Sequence, residues 1–153
     1  MKEPSVEEQS CVFCKRIANR EYEDRFAGFV CFEPLNPVTP GHKLVVPELH
    51  TAHLNNPELN ANQVGWALRY FTNDLDCDYN IITSKGTDAT QTIQHLHFHI
   101  VPRHKDDGLQ LPWSTQQAQM RDKVLEYKRR NILRMNSSEI ALIDDLLTIL
   151  GEE

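Results

Sequence analysis

The chain has 153 residues, 40% hydrophobic and 25% charged, the size and make-up of one globular domain with an apolar core. Sixteen Lys and Arg against 22 Asp and Glu leave a formal charge of −6, which excludes a broad electropositive face for a nucleic-acid polymer and leaves small anions as the fitting partners. No run approaches the roughly 20 apolar residues that span a bilayer, and Met1 to Glu8 lack the apolar segment of a secretion signal, so the expected location is cytoplasmic, with no membrane partner.

Residues 1–9 are acidic and without periodicity, and are expected to be mobile. Cys11 to Ala18 can form one short helix. Four cysteines in a reducing compartment argue against a disulfide framework, so Cys11-x-x-Cys14 reads first as metal ligation, with redox chemistry or idle thiols as alternatives. Zinc takes four tetrahedral ligands, commonly two Cys and two His; His42, His50, His53, His95, His97, His99 and His104 are all candidates that spacing alone does not separate. Arg25 to Phe32 predicts a strand in which Cys31 is packing, and Pro34, Pro37, Pro40 and Gly41 predict a loop. His42 to Val46 then predicts a second strand, closed by Pro47.

Asn56-Pro57 reads as a helix start, a cap followed by proline at the first helical position. Leu59, Val64, Ala67, Leu68, Phe71 and Leu75 then supply one apolar stripe, weakened at Gly65 by about 1 kcal/mol relative to alanine. Tyr79 to Thr83 predicts a third strand, Gly86 to Thr90 a turn, and Ile93 to Val101 a further strand. Beyond Pro112-Trp113 the pattern becomes helical: a basic helix over 116–134 and an acidic one over 138–150, the latter set either against the former or at a dimer contact.

The most constrained stretch is His95-Leu96-His97-Phe98-His99-Ile100-Val101. Alternate residues of a strand share a face, so the three imidazoles form one row while Leu96, Phe98 and Ile100 turn to a core. Neighbours in that row stand roughly 6.6 Å apart and the outer pair roughly 13 Å apart at the Cα atoms. A zinc–nitrogen bond is only about 2.0 Å long, so three imidazoles on one straight strand do not share one metal, and the row needs at least two functions.

With Gln91-Thr92 upstream and the run Pro37 to His50, this row resembles the histidine triad (HIT) superfamily of nucleotide hydrolases and transferases. The similarity covers roughly residues 11–113, and Pro102-Arg103, Asp106-Asp107-Gly108, Trp113 and the cysteine pair bring it closest to the bacterial-type hydrolases. The resemblance implies an α+β fold: an antiparallel sheet of about five strands, one main helix packed on it, and extra C-terminal helices. Its domain is then residues 10–113, with 114–153 a helical extension packed on the same domain. It also implies a twofold homodimer whose sheets continue across the interface. It assigns a structural zinc ion to Cys11, Cys14, His50 and His95, and the nucleophile to His97. His42, His99, Gln91 and Thr92 match residues around the substrate phosphate, and Phe32 with Leu35 matches the base and ribose pocket. The chain departs from the family pattern in having Glu33-Pro34 where an aspartate commonly binds ribose, so that ribose recognition is altered or passes to Glu33. It also has Thr90 where a glycine is usual and Ser84 where an amide side chain is often found.

These residues suit hydrolysis of a nucleoside monophosphate, purine derivatives above all, from a phosphate or phosphoramidate leaving group. A neutral imidazole attacks phosphorus near pH 7 if its Nδ1–H is tied down, most simply to a backbone carbonyl, and water then cleaves the nucleotidyl-imidazole. The alternatives are a nucleotide-binding module with little turnover and a zinc hydrolase in which His95, His97 and His99 are themselves ligands.

Overall fold

The computed structural model describes residues 5–150. The backbone divides after Asp107 into two compact units. The first is built on a five-stranded sheet, β1 (Asp24–Phe26), β2 (Phe29–Phe32), β3 (Lys43–Pro47), β4 (Tyr79–Ile82) and β5 (Phe98–Pro102). Their order is β1-β2-β3-β5-β4, antiparallel at every pairing. Three helices accompany it: α1 (Val6–Ser10), α2 (Val12–Ala18) and α3 (Ala61–Thr72). This is the α+β arrangement that the resemblance implies.

Three elements differ from the sequence reading. The single strand predicted over 25–32 is a hairpin, because Ala27 and Gly28 hold φ of 52° and 80°. Two such residues make the mirror-image turn that matches strand twist, and they set Phe26 opposite Phe29. The main helix begins at Ala61 rather than Pro57. Asn56 Oδ1 accepts from the Glu58 N–H and closes one turn only, and Asn60 then caps the helix by accepting from the N–H groups of Asn62 and Gln63. The strand predicted from Ile93 begins at Phe98. Continuing the ladder past Val45↔Phe98 would soon require an N–H from Pro47, which has none; instead the chain bends, with the His95 N–H bonded to the Ile93 carbonyl at 2.8 Å.

Residues paired directly across an antiparallel ladder share a face, so the registers Leu44↔His99 and Val45↔Phe98 sort the sheet into two sides. On one side Phe29, Cys31, Val45, Phe98 and Ile100 pack with Leu96 against Val64 and Ala67 of α3, flanked by Leu59, Leu68, Phe71 and Leu75. The predicted apolar stripe is therefore the one that α3 buries. On the other side Val30, Phe32, Leu44 and Val46 pack against Phe13 and Ile17 of α2. Coverage of both faces explains why Phe29 to Phe32 are apolar without alternation and all buried; each such side chain contributes about 1.5–3 kcal/mol. His99 therefore lies on the side of the sheet that α2 covers, not the side of α3.

Two features outside the predicted elements frame the first unit. Of residues 1–9, expected to be mobile, 1–4 lie outside the described residues; Val6–Ser10 is one helical turn held by a capping box between Ser5 and Glu8. Arg103 grips Asp107 through two bonds, Nε at 2.6 Å and Nη2 at 3.0 Å, and Asn80 Oδ1 through Nη1. The second unit is a helical pair, α4 (Ser114–Asn131) and α5 (Ser137–Ile149), joined through a 3-10 turn at Ile132–Arg134. An ion pair from Lys128 to Asp144 sets the acidic helix against the basic one, the first of the two arrangements its charge allowed. Among the described residues no helix is long and apolar enough to cross a membrane.

Candidate active site and metal cluster

Cys11 immediately precedes α2, Cys14 sits in its first turn, His50 follows β3, and His95 occupies the bend before β5. Their donor atoms all lie within 4.8 Å of one another, a grouping that could hold a metal ion. His95 Nδ1 is 3.4 Å from Cys11 Sγ and 3.5 Å from Cys14 Sγ, and His50 Nδ1 is 3.2 Å from Cys14 Sγ. Ligand atoms around a tetrahedral zinc ion stand roughly 3.3–3.8 Å apart, given bonds of 2.0–2.3 Å, so the donor set fits that metal in number and type, and its closest pairs in spacing. The tautomer fits as well. His95 Nε2 lies 2.9 Å from the Pro47 carbonyl, which only accepts, so Nε2 carries the proton and Nδ1 presents its lone pair to the thiols. Burial first, then Cys11, push the Cys14 thiol up to about 12; a cation amid the set is what makes such a thiol a thiolate ligand.

The same logic fixes the rest of the row. His97, 8% exposed, has Nδ1 2.8 Å from the His95 carbonyl. That nitrogen must donate, so in the neutral ring Nε2 is the bare lone pair, the state a nucleophile needs. The backbone N–H of Val38 donates to His42 Nδ1 at 3.2 Å, so His42 carries its proton on Nε2 and donates to His99 Nδ1 at 2.9 Å. His99 in turn carries its own proton on Nε2, where it is a hydrogen-bond donor. Burial, reinforced by His97 and His42, lowers His99 to about 4, and burial lowers His42 against an opposing pull from Glu33. Both rings are therefore neutral near pH 7, as the relay from Val38 requires. The rings of His97 and His99 stand 5.1 Å apart at their centroids, tilted by 66°.

The remaining sequence-predicted residues divide. Gln91 is 4% exposed and its amide is bonded at both ends to backbone: Oε1 accepts from the Gly86 N–H at 2.8 Å, and Nε2 donates to the Ala52 carbonyl at 2.7 Å. The side chain thus fixes the loop that carries Thr92, which is exposed. Thr90, in place of glycine, holds φ 64° and ψ 23°, the left-handed conformation glycine favours. Phe32 is 1% exposed and Leu35 is 93% exposed, the one covered and the other open to solvent. A cleft of about 760 Å3 between the first strands and α3, walled by Phe26, Trp66 and Tyr70, includes none of the candidate residues.

Two contributors escaped the sequence reading. Phe13, 4% exposed, stands edge-on to His95 and His97 at centroid distances of 5.8 and 5.4 Å, packed against both rings. Its signal was an aromatic residue inside the Cys-x-x-Cys loop. Thr83 donates from Oγ1 to the His97 carbonyl at 2.9 Å, a contact between distant residues that no local pattern announces. His53 and His104 lie outside the row and the cluster.

A model of the HIT domain matches residues 22–106. The chain belongs to the HIT family. This HIT protein is 25% identical over 147 residues to an adenosine 5′-monophosphoramidase of Saccharomyces cerevisiae, covering 91% of each chain. It is 32% identical over 118 residues to an adenylylsulfatase of Arabidopsis thaliana, covering 70% of this chain and 59% of that one. Among solved structures, a zinc-bound histidine triad family protein from Mycobacterium smegmatis superposes with a TM-score of 0.53 at 33% identity, over 68% of this chain and 82% of that one.

Proposed function

We propose that this HIT protein hydrolyses nucleoside monophosphate derivatives, cleaving the bond between phosphorus and a phosphate or amine leaving group through a covalent nucleotidyl intermediate on His97. The observation that carries this reading is the 2.8 Å contact between His97 Nδ1 and the His95 carbonyl, which leaves Nε2 unprotonated in the neutral ring, next to the His99 ring. Nε2 attacks phosphorus, the P–N or P–O bond to the leaving group breaks, and the leaving group takes a proton from water. The positive charge that develops on the ring is stabilised through Nδ1–H by the carbonyl. His99 Nε2–H donates to a non-bridging phosphate oxygen, and His42 and Val38 keep it in that tautomer. Water then attacks the nucleotidyl phosphorus, releases the monophosphate and restores Nε2. The names of the two relatives, a monophosphoramidase and an adenylylsulfatase, fit this class of bond.

In this reading Cys11, Cys14, His50 and His95 hold a zinc ion whose contribution is structural, a crosslink between α2, the exit of β3 and the bend before His97. Thr92 takes part in holding the phosphate, and Gln91 shapes the loop that presents it. The protein pairs as a homodimer along the outer edge of β4, where Tyr79, Ile81 and Ile82 are about two-fifths exposed. The experiment is turnover of a panel of adenosine and guanosine phosphoramidates and dinucleoside polyphosphates by the wild type and by His97→Ala. A loss on the order of 10⁴-fold or more is expected for the variant. Full turnover by His97→Ala contradicts the mechanism, and binding of monophosphate by the wild type without turnover of any substrate makes the protein a nucleotide-binding module instead.

A further inference from the structure

Phe32, expected to line a base pocket, is only 1% exposed, and what covers its ring is a cation. The guanidinium carbon of Arg16 lies 4.0 Å from the ring centroid, within the range of a cation–π contact. Phe13 closes the ring from another side, its centroid 5.5 Å away and its plane tilted by 54°. Arg16 thus covers a face of the Phe32 ring.

Two chains of neighbours lead from Arg16 towards the histidine row. Phe13, which touches Phe32, also stands 5.4 Å from His97. On the other flank Arg16 Nη1 donates to the Glu33 carbonyl at 3.4 Å, and Glu33 is the residue whose charge acts on His42. The guanidinium is half-buried on α2, with Phe32 under one face and the Glu33 carbonyl at one edge.

The geometry points to Arg16 as the residue that receives the substrate's nucleobase: the guanidinium rests its face on Phe32, and the in-plane edge left free by Glu33 donates to the edge of a purine lying beside it. This rests on the nucleotide-hydrolase reading above. A guanidinium is planar, weakly hydrated and stacks well. Its paired donors match guanine, which offers two acceptors, O6 and N7, better than adenine, which offers N7 beside an N–H donor. Guanosine substrates are therefore favoured over adenosine substrates with the same leaving group.

The test compares guanosine and adenosine phosphoramidates carrying one leaving group in the wild type, Arg16→Leu and Arg16→Lys, with kcat and KM resolved and thermal unfolding measured alongside. Calorimetry with guanosine and adenosine monophosphate accompanies it. Expected are a guanosine preference in the wild type and, in Arg16→Leu, a KM for the guanosine substrate raised about 5- to 100-fold with kcat little changed and the preference lost. Arg16→Lys keeps the charge without the flat face and does not restore KM. A wild-type KM and base preference in Arg16→Leu overturns the proposal. So does an equal fall in kcat for both substrates together with a lowered Tm, which is the mark of a clamp on Phe32 and nothing more. If the wild type turns over neither substrate, the hydrolase reading fails by itself. Calorimetry then decides the base contact: weaker guanosine monophosphate binding by Arg16→Leu supports it, and unchanged binding overturns it.

Discussion

Replacing Thr90 by glycine is expected to stabilise the protein, although glycine usually does the opposite. Thr90 sits at φ 64°, ψ 23°, at the end of the short 3-10 turn Thr87–Ala89. An L-residue in this region costs roughly 1–2 kcal/mol, and a β-branched one is a genuine outlier there. The conformation is enforced from both sides: the Thr90 N–H is bonded to the Thr87 carbonyl at 2.9 Å, and the next N–H, of Gln91, to the Gly86 carbonyl at 3.0 Å. Against the relief stands the added freedom of glycine in the unfolded chain, about 0.4–1 kcal/mol. The balance is a gain of about 0.5–1 kcal/mol, equivalent to about 1–4 °C in Tm for a chain of this length. Urea unfolding at constant m-value measures it, with Thr90→Ala, which keeps the Cβ and hence most of the strain, as the control. Destabilisation by Thr90→Gly, or equal stabilisation by both variants, refutes the strain argument.

Gln91→Ala leaves the Gly86 N–H and the Ala52 carbonyl without their buried partner, at about 1–3 kcal/mol for each, so the urea midpoint falls steeply while the far-UV spectrum keeps its form. Removing metal with a chelator lowers Tm and zinc restores it; at free zinc 1,000 times Kd the difference is about 4 kcal/mol, and Cys14→Ser loses the zinc response. Stability also depends on pH. His99 is held at about 4 against 6.5 when unfolded, and His42 is lowered too. Below pH 6.5 the unfolded chain takes up protons that the folded one refuses, so their contribution is complete above pH 6.5 and is lost as pH falls towards 4. The slope is at most about 1.4 kcal/mol per pH unit for each group, read by urea titrations at several pH values in the wild type and in His99→Asn.

The alternation of apolar and histidine residues at 95–101 carried the essential division of the sheet, because period-2 patterning survives even where the chain leaves the regular ladder, as it does before Phe98. The stripe on α3 was legible for the same reason. The start of that helix was not, since Asn56 and Asn60 are equally good caps and only the three-dimensional path decides between them. Ala27-Gly28 concealed a hairpin inside an apolar run, where alanine gives no sign of a positive φ. At the site, spacing said that the row needs two functions, but the choice of His50 among seven histidines depended on a loop approaching α2, a contact between distant residues. Gln91 shows the limit from the other side: sequence gives no sign that each end of its amide is bonded to the backbone of a different loop.

Rapid-quench mass spectrometry during turnover of a nucleoside phosphoramidate addresses the reaction most directly. A nucleotidyl mass added to the peptide carrying His97, acid-labile, formed faster than product and absent in His97→Ala, is the predicted result. Product formed at the full rate with no adduct at any time, or with the adduct on another residue, contradicts the account.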